Sequence, residues 1–163
     1  MSQPTPILDA IRSLLDSGGV AYRLVHHAET HTSEESASAR GEDLRVGGKA
    51  IVAKVDQTFH LFVLSAVLRL DSAAIRRKFG VKAIRFATAQ ELLELTGLVP
   101  GSVPPFGRPI LPLDLYIDES ITQNERIAFN AGSLTDSIIM TAPDYLRIAG
   151  GEVFSFSAPP QTA

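Results

Sequence analysis

Two apolar segments joined by a short polar turn constrain the fold of this chain more than any other feature. The first runs from Gly48 to Val55, Asp56-Gln57 follows as a predicted turn, and residues 59–64 are almost wholly apolar. An apolar run of this length next to turn residues is typical of a strand covered on both faces. The sequence therefore predicts a central β-hairpin.

Lys49 lies near the start of the first strand of this hairpin. Because strand side chains alternate between faces, Lys49 shares a side with Ile51, Ala53 and Val55. An ammonium on an apolar side loses hydration and needs a partner. It either binds a ligand or extends its long stem to solvent at the strand end. The alternation alone leaves both interpretations open.

Capping residues and apolar periodicity predict the remaining elements. We expect helices that begin at Thr5-Pro6, Ser33, Asp71, Thr88 and Pro143. Further strands are predicted at 21–25, 81–86, 113–117, 126–130, 137–140 and 152–156. This order mixes hairpins with helical crossovers, so we expect an α/β or α+β domain around a mixed, mostly antiparallel sheet. The 163 residues fit a single domain, 1–163, with a frayed tail at 158–163.

Composition and missing motifs exclude several classes of function. The net charge is -3, so any nucleic-acid contact must be local. Arg76, Arg77 and Lys78 are the best local candidate for tRNA contact, although cations there also complement a helix dipole. The chain has no cysteine. His27 and His31 are four residues apart, but the turn-like residues between them spoil a helical pairing and no His-Glu-x-x-His pattern exists, so we expect no metal. No apolar segment approaches the roughly 18 residues of a membrane span, and a cytoplasmic location is expected.

A proline- and glycine-containing stretch at 98–109 is predicted to form a rigid loop. It belongs to a series of motifs along the chain: 32–37, Gly48-Lys49-Ala50, Leu95-Thr96-Gly97, Gly101-x-x-x-Pro105-Phe106-Gly107 and Asn130-Ala131-Gly132-Ser133. Their order resembles the YbaK/prolyl-tRNA synthetase-associated domain family, which hydrolyses mischarged aminoacyl-tRNA. The resemblance implies a mixed sheet wrapped toward a barrel and surrounded by helices.

The resemblance also implies roles for particular residues. Lys49 matches the essential lysine of the family and is the predicted catalytic residue. The residues that match the substrate pocket are Ser33, Gly101, Ser102, Pro105, Phe106, Gly107, Gly132 and Ser133. The implied reaction needs no cofactor, and no histidine or carboxylate stands out as a general base. A ribose hydroxyl of the substrate is therefore expected to help activate the attacking water.

The implied partners are mischarged aminoacyl-tRNA and an aminoacyl-tRNA synthetase. The chain departs from the family pattern at two places that bear on amino-acid preference. Ala50 stands where many relatives have threonine or asparagine, and residues Leu134 to Asp136 lack a histidine that some relatives carry. Two other functions therefore stay open. One is a non-catalytic module that binds tRNA or a synthetase, and the other is a hydrolase of simple esters or amides.

Overall fold

The central hairpin predicted from sequence is present in the computed structural model, which describes residues 6–160. Strands Gly48–Val55 and Thr58–Ser65 pair antiparallel from Gly48 with Ser65 to Val55 with Thr58. The two-residue turn between them places Asp56 at a φ of 56°, the left-handed conformation that tight hairpin turns require. Both faces of the hairpin are covered: Val63 packs into one apolar cluster and Phe62 into another.

Six helices and ten strands make up the described chain. The helices are α1 (Pro6–Ser17), α2 (Ser33–Arg40), α3 (Ser72–Phe79), α4 (Ala89–Thr96), α5 (Glu119–Thr122) and α6 (Ala142–Ala149). The strands are β1 (Tyr22–His26), β2 (Gly48–Val55), β3 (Thr58–Ser65), β4 (Arg69–Leu70), β5 (Ile84–Phe86), β6 (Leu115–Asp118), β7 (Arg126–Asn130), β8 (Asp136–Thr141), β9 (Glu152–Phe154) and β10 (Ser157–Ala158). A single 3₁₀ turn, Leu44–Val46, precedes β2.

The strands form three sheets, ordered β5-β2-β3-β6-β9, β1-β8-β7 and β10-β4. Within residues 6–160 only the β3–β6 and β6–β9 pairs are parallel, so the prediction of a mixed, mostly antiparallel architecture is confirmed. The wrapping toward a barrel has only loose support, because none of the three sheets in the described residues closes on itself. An isolated parallel bridge between Gly47, just before β2, and Ala128 of β7 joins the two larger sheets.

The helix boundaries follow their caps, with one correction. Asp71 accepts hydrogen bonds from the backbone of Ala73 and Ala74 and begins α3, and Thr88 begins α4 with a capping box, as predicted. The prediction that Ser33 caps α2 is wrong. Thr32 has the extended backbone of a cap and exchanges hydrogen bonds with Glu35, so Ser33 is already helical. The predicted cap of α1, Thr5, lies outside the described residues.

Several short elements differ from the sequence prediction. The strand predicted at 81–86 is limited to β5, and the one at 152–156 to β9. Helix α5 and strands β4 and β10 were not predicted. Ala158, where the frayed tail was expected to begin, pairs with Arg69. No helix in the described part of the chain is long and apolar enough to cross a membrane.

Candidate functional site

A cavity of about 120 Å³ lies where the start of β2 meets α2, the end of β7 and the loop that follows α4. Several hydroxyls, one amide and two cations line it. The lining residues that bear on its chemistry are His31, Thr32, Ser33, Ser36, Arg40, Lys49, Gly101 and Asn130.

Lys49 lines this cavity from the start of β2, at the end of the hairpin away from its turn. The predicted alternation of β2 is confirmed, because Ile51, Ala53 and Val55 share one apolar cluster. The Lys49 Nζ donates a hydrogen bond to the backbone carbonyl of Leu68. Burial lowers the pKa of Lys49, and the charge of Glu34 partly opposes that shift. The ammonium is therefore half-buried beside the cavity with no carboxylate paired to it in the described chain.

The structure brings Ser33 and Gly101 to the same cavity as Lys49. Gly101 adopts a φ of 90°, which favours glycine. Its carbonyl accepts a hydrogen bond of 2.6 Å from the side-chain amide of Asn130. Ser102 is next in the chain but does not line the cavity; its hydroxyl donates to the Val99 carbonyl at 2.8 Å and closes a turn.

The second half of the same loop lies elsewhere. Phe106 is 1% exposed, and its ring packs 5.5 Å from the rings of Phe129 and Tyr145. The Tyr145 hydroxyl donates to the Pro105 carbonyl at 2.6 Å. Gly107 lines a different groove, where a Cβ would come within 2.5 Å of the Leu113 carbonyl oxygen. Pro105 and Phe106 therefore anchor the loop to the core, and neither they nor Gly107 line the cavity.

Gly132 and Ser133 shape the connection between β7 and β8 and do not line the cavity either. Gly132 has a φ of 76°, and a Cβ there would lie 2.5 Å from a methyl of Ile7 in α1. The Ser133 hydroxyl donates to Asp136 at 2.9 Å and accepts from the Thr135 backbone at 3.0 Å. Both residues therefore serve the packing of this turn.

Arg40 and Asn130 are site residues that were not predicted from the sequence. Arg40 is 6% exposed, and its Nη1 donates to Asn130 Oδ1 at 3.4 Å and to Ser137 Oγ at 3.3 Å. Burial lowers the pKa of Arg40 to about 10, while Glu42 acts in the opposite direction. One sequence pattern could have identified Arg40 as a site residue. Ser33, Ser36 and Arg40 have helical spacing, which places all three on one face of α2.

The predicted cationic patch lies apart from the cavity. Arg76, Arg77 and Lys78 occupy the last turn of α3, and none of them lines the cavity. Lys78 forms an ion pair with Glu152 and lies 5.4 Å from the centre of the Phe154 ring. Residues 6–160 contain no cluster of three or more His, Cys, Asp or Glu side chains suited to a metal ion.

This arrangement suits the stabilisation of negative charge on an oxygen atom. Two cations and several hydroxyls line a partly water-excluded cavity, where electrostatic interactions are stronger than in bulk water. His31 is at the rim, with its Nε2 3.1 Å from a Glu29 carboxylate oxygen, and its side chain is largely exposed. It lines the cavity and has the chemistry of a general base.

Comparison with known proteins relates this geometry to a family. A model of the aminoacyl-tRNA editing domain matches residues 27–148. The chain is 35% identical over 150 residues to the multifunctional Ser/Thr-tRNA deacylase ProXp-y of Escherichia coli, covering 88% of this chain and 89% of that protein. It is also 31% identical over 130 residues to a proline-tRNA ligase of Shouchella clausii, covering 80% of this chain but 21% of the ligase.

A solved structure shows the same fold. It is described as a candidate trans-editing enzyme for prolyl tRNA synthetase and superposes with a TM-score of 0.80 at 27% identity. The superposition covers 96% of this chain and 99% of the other. The similarity therefore extends over nearly the full length of both chains.

Proposed function

The chain belongs to the aminoacyl-tRNA editing domain family, and from this premise we propose that it is a trans-editing hydrolase of mischarged aminoacyl-tRNA. Water adds to the carbonyl carbon of the ester between the amino acid and the terminal ribose. The bond to the ribose oxygen then breaks, and the proton lost by the water ends on that oxygen. The products are the free amino acid and uncharged tRNA.

The observation that carries this proposal is the half-buried ammonium of Lys49, which lines the same cavity as Gly101. An ammonium held there without a carboxylate partner stabilises charge that develops on the ester carbonyl oxygen. None of the described residues that line the cavity is Asp or Glu. A neighbouring ribose hydroxyl of the substrate is proposed to assist the attacking water, with His31 as the alternative general base.

The shape of the surface near Lys49 supports an orientation for the substrate. An open groove of about 540 Å³ shares Lys49 and Ala66 with the cavity and also contacts Arg69. We place the base of the terminal nucleotide in the open groove and the aminoacyl ester at the smaller cavity, with Lys49 between them. A cavity of about 120 Å³ favours small side chains, which agrees with the serine and threonine named for the Escherichia coli relative.

Deacylation of a panel of charged tRNAs tests the proposal. The panel includes tRNAs that carry serine, threonine, alanine and a bulky amino acid, and ester loss is followed over time. Lys49→Met should abolish ester loss. Lys54→Met is the matched control, because Lys54 lies on the opposite side of the same strand, 5.6 Å from the centre of the Phe59 ring.

The outcomes separate this function from its alternatives. Equal rates for Lys49→Met and the parent would refute the role of Lys49. Tight tRNA binding without ester loss would favour a non-catalytic module, which the departure at Ala50 also suggests. Faster cleavage of simple amino-acid esters than of charged tRNA would favour a general esterase.

The cellular setting follows from the proposed substrate. Charged tRNA is used in the cytoplasm, so the protein is proposed to act there. Relatives include a domain-sized part of a proline-tRNA ligase, which supports a functional partnership with such a synthetase.

A further inference from the structure

Arg40 is a buried cation without an acidic partner in the described chain. It is 6% exposed, and no carboxylate oxygen lies within ion-pair distance of it. The nearby Glu42 instead pairs with Arg23 and Arg126, at 3.0 Å each. Burial of an unpaired charge is costly, so such a group is usually paired, or bound to a ligand.

The guanidinium has unused hydrogen-bond donors. Of its three nitrogen atoms, Nη1 donates to Asn130 and Ser137. The Nε atom is buried and has no hydrogen-bond partner. No hydrogen bond joins Nη2 to any residue in 6–160. An arginine has five N–H donors in a rigid plane, so the network of Asn130 and Ser137 holds the group in place while other donors stay free.

Arg40 and Lys49 line the same cavity, and none of its described lining side chains is a carboxylate. Glu35, which is close in sequence, is engaged at the start of α2 by the backbone of His31 and Thr32, at 2.9 and 3.1 Å. The cavity thus carries two positive charges that no acidic lining residue compensates. An anionic ligand would restore the balance.

The backbone beside the guanidinium is adapted to its position. A Cβ on Gly47 would lie 3.3 Å from Arg40 Nη2 and 3.1 Å from the Cβ of Ala66. Gly47 also lines the cavity. The missing side chain therefore leaves room for the guanidinium at the cavity wall.

We propose that Arg40 and Lys49 together form a subsite for a tetrahedral oxyanion, with Arg40 Nε and Nη2 as donors. The inference rests on the proposed function, which offers two sources of this chemistry. One is the phosphate of the terminal nucleotide of tRNA. The other is the intermediate formed when water adds to the ester carbonyl, whose oxygen takes the electron pair of the broken π bond and becomes negative.

Binding of inorganic phosphate is the first test and does not depend on catalysis. Phosphate is titrated into the parent, Arg40→Met and Arg147→Met, and the dissociation constants are measured by calorimetry. Charged hydrogen bonds account for about a 10- to 100-fold change in affinity, so Arg40→Met should weaken binding by that factor. Arg147→Met is the matched control, because Arg147 is exposed and paired with Asp144.

A second variant keeps the test decisive if Arg40→Met does not fold. Arg40→Lys retains the charge but loses the planar fork, and it should bind phosphate more weakly than the parent. Circular dichroism establishes that each variant is folded. The proposal is overturned if the parent does not bind phosphate, or if the folded Arg40 variants bind it as tightly as the parent.

Nucleotide binding and kinetics distinguish the two sources. If Arg40 binds the nucleotide phosphate, Arg40→Met should weaken binding of adenosine 5′-monophosphate, but not of adenosine, and raise KM with kcat retained. If it stabilises the intermediate, kcat should fall with KM retained. Arg40-dependent phosphate binding without deacylation of any tRNA would refute the proposed function and leave the anion subsite standing.

Discussion

The hydrogen bond between Tyr145 and the loop that carries Gly101 offers a clean test of how the site is supported. Tyr145 is 0% exposed, and its hydroxyl donates to the Pro105 carbonyl at 2.6 Å. Tyr145→Phe removes this oxygen but keeps the ring that packs on Phe106. A buried carbonyl left without its partner costs about 1–3 kcal/mol.

This cost is large relative to the stability of a domain, which is about 5–15 kcal/mol. For a chain of this size, each kcal/mol lowers the melting temperature by about 2–4 °C, so we expect a decrease of about 2–12 °C. Because burial raises the pKa of Tyr145 well above 10, the hydroxyl stays protonated and the loss should not vary between neutral and mildly alkaline pH.

Urea unfolding and thermal unfolding of Tyr145→Phe measure the effect. Tyr22→Phe is the matched control, because the Tyr22 hydroxyl only accepts a 3.3 Å bond from Arg12 at the surface, and its loss should cost less than about 0.5 kcal/mol. If Tyr145→Phe lowers the free energy of unfolding by no more than Tyr22→Phe does, the reasoning that this hydrogen bond anchors the loop is refuted.

Three further predictions concern other residues. Phe106→Ala should lower the free energy of unfolding by about 3–5 kcal/mol, since it empties a core position; unchanged stability in urea with a raised KM would place Phe106 in the substrate pocket instead. Burial lowers the pKa of His60 below its ordinary 6.5, so the unfolded state binds more protons and stability should fall as the pH drops below about 6.5. In His60→Phe, the free energy of unfolding should vary less with pH between pH 7 and 5. The same variation in this variant as in the parent would contradict the assignment to His60. His31→Gln should retain the deacylation rate if the substrate assists the water, whereas a loss of about 10²- to 10⁴-fold would identify His31 as the general base.

Local patterns predicted much of the fold. The hairpin, the caps of α3 and α4 and strand β7 follow from residues that are neighbours in sequence. The cap of α2 was misplaced by one residue, because Thr32 and Ser33 are both suitable caps and Glu35 selects Thr32. A two-residue strand such as β10 is too short to show the alternation of apolar and polar residues that marks a strand. It forms because it pairs with β4.

The site was predicted less completely than the fold. Lys49, Ser33 and Gly101 meet at one cavity. Phe106 and Gly132 belong to the same motifs, yet packing against Tyr145 and Ile7 places them in the interior. A glycine or an aromatic residue has the same sequence signal whether it lines a pocket or fills a core.

The sequence by itself determined which side of β2 carries Lys49, because strand alternation is a local property of the backbone. It also indicated the family, through the order of its motifs. Only the tertiary structure decided what surrounds that lysine. Arg40 reaches the same cavity from the far end of α2, and Asn130 joins it to Gly101. These three residues are separated by 29 to 90 positions in the chain, so no local pattern could bring them together; the packing of α2 against β7 and the loop does so.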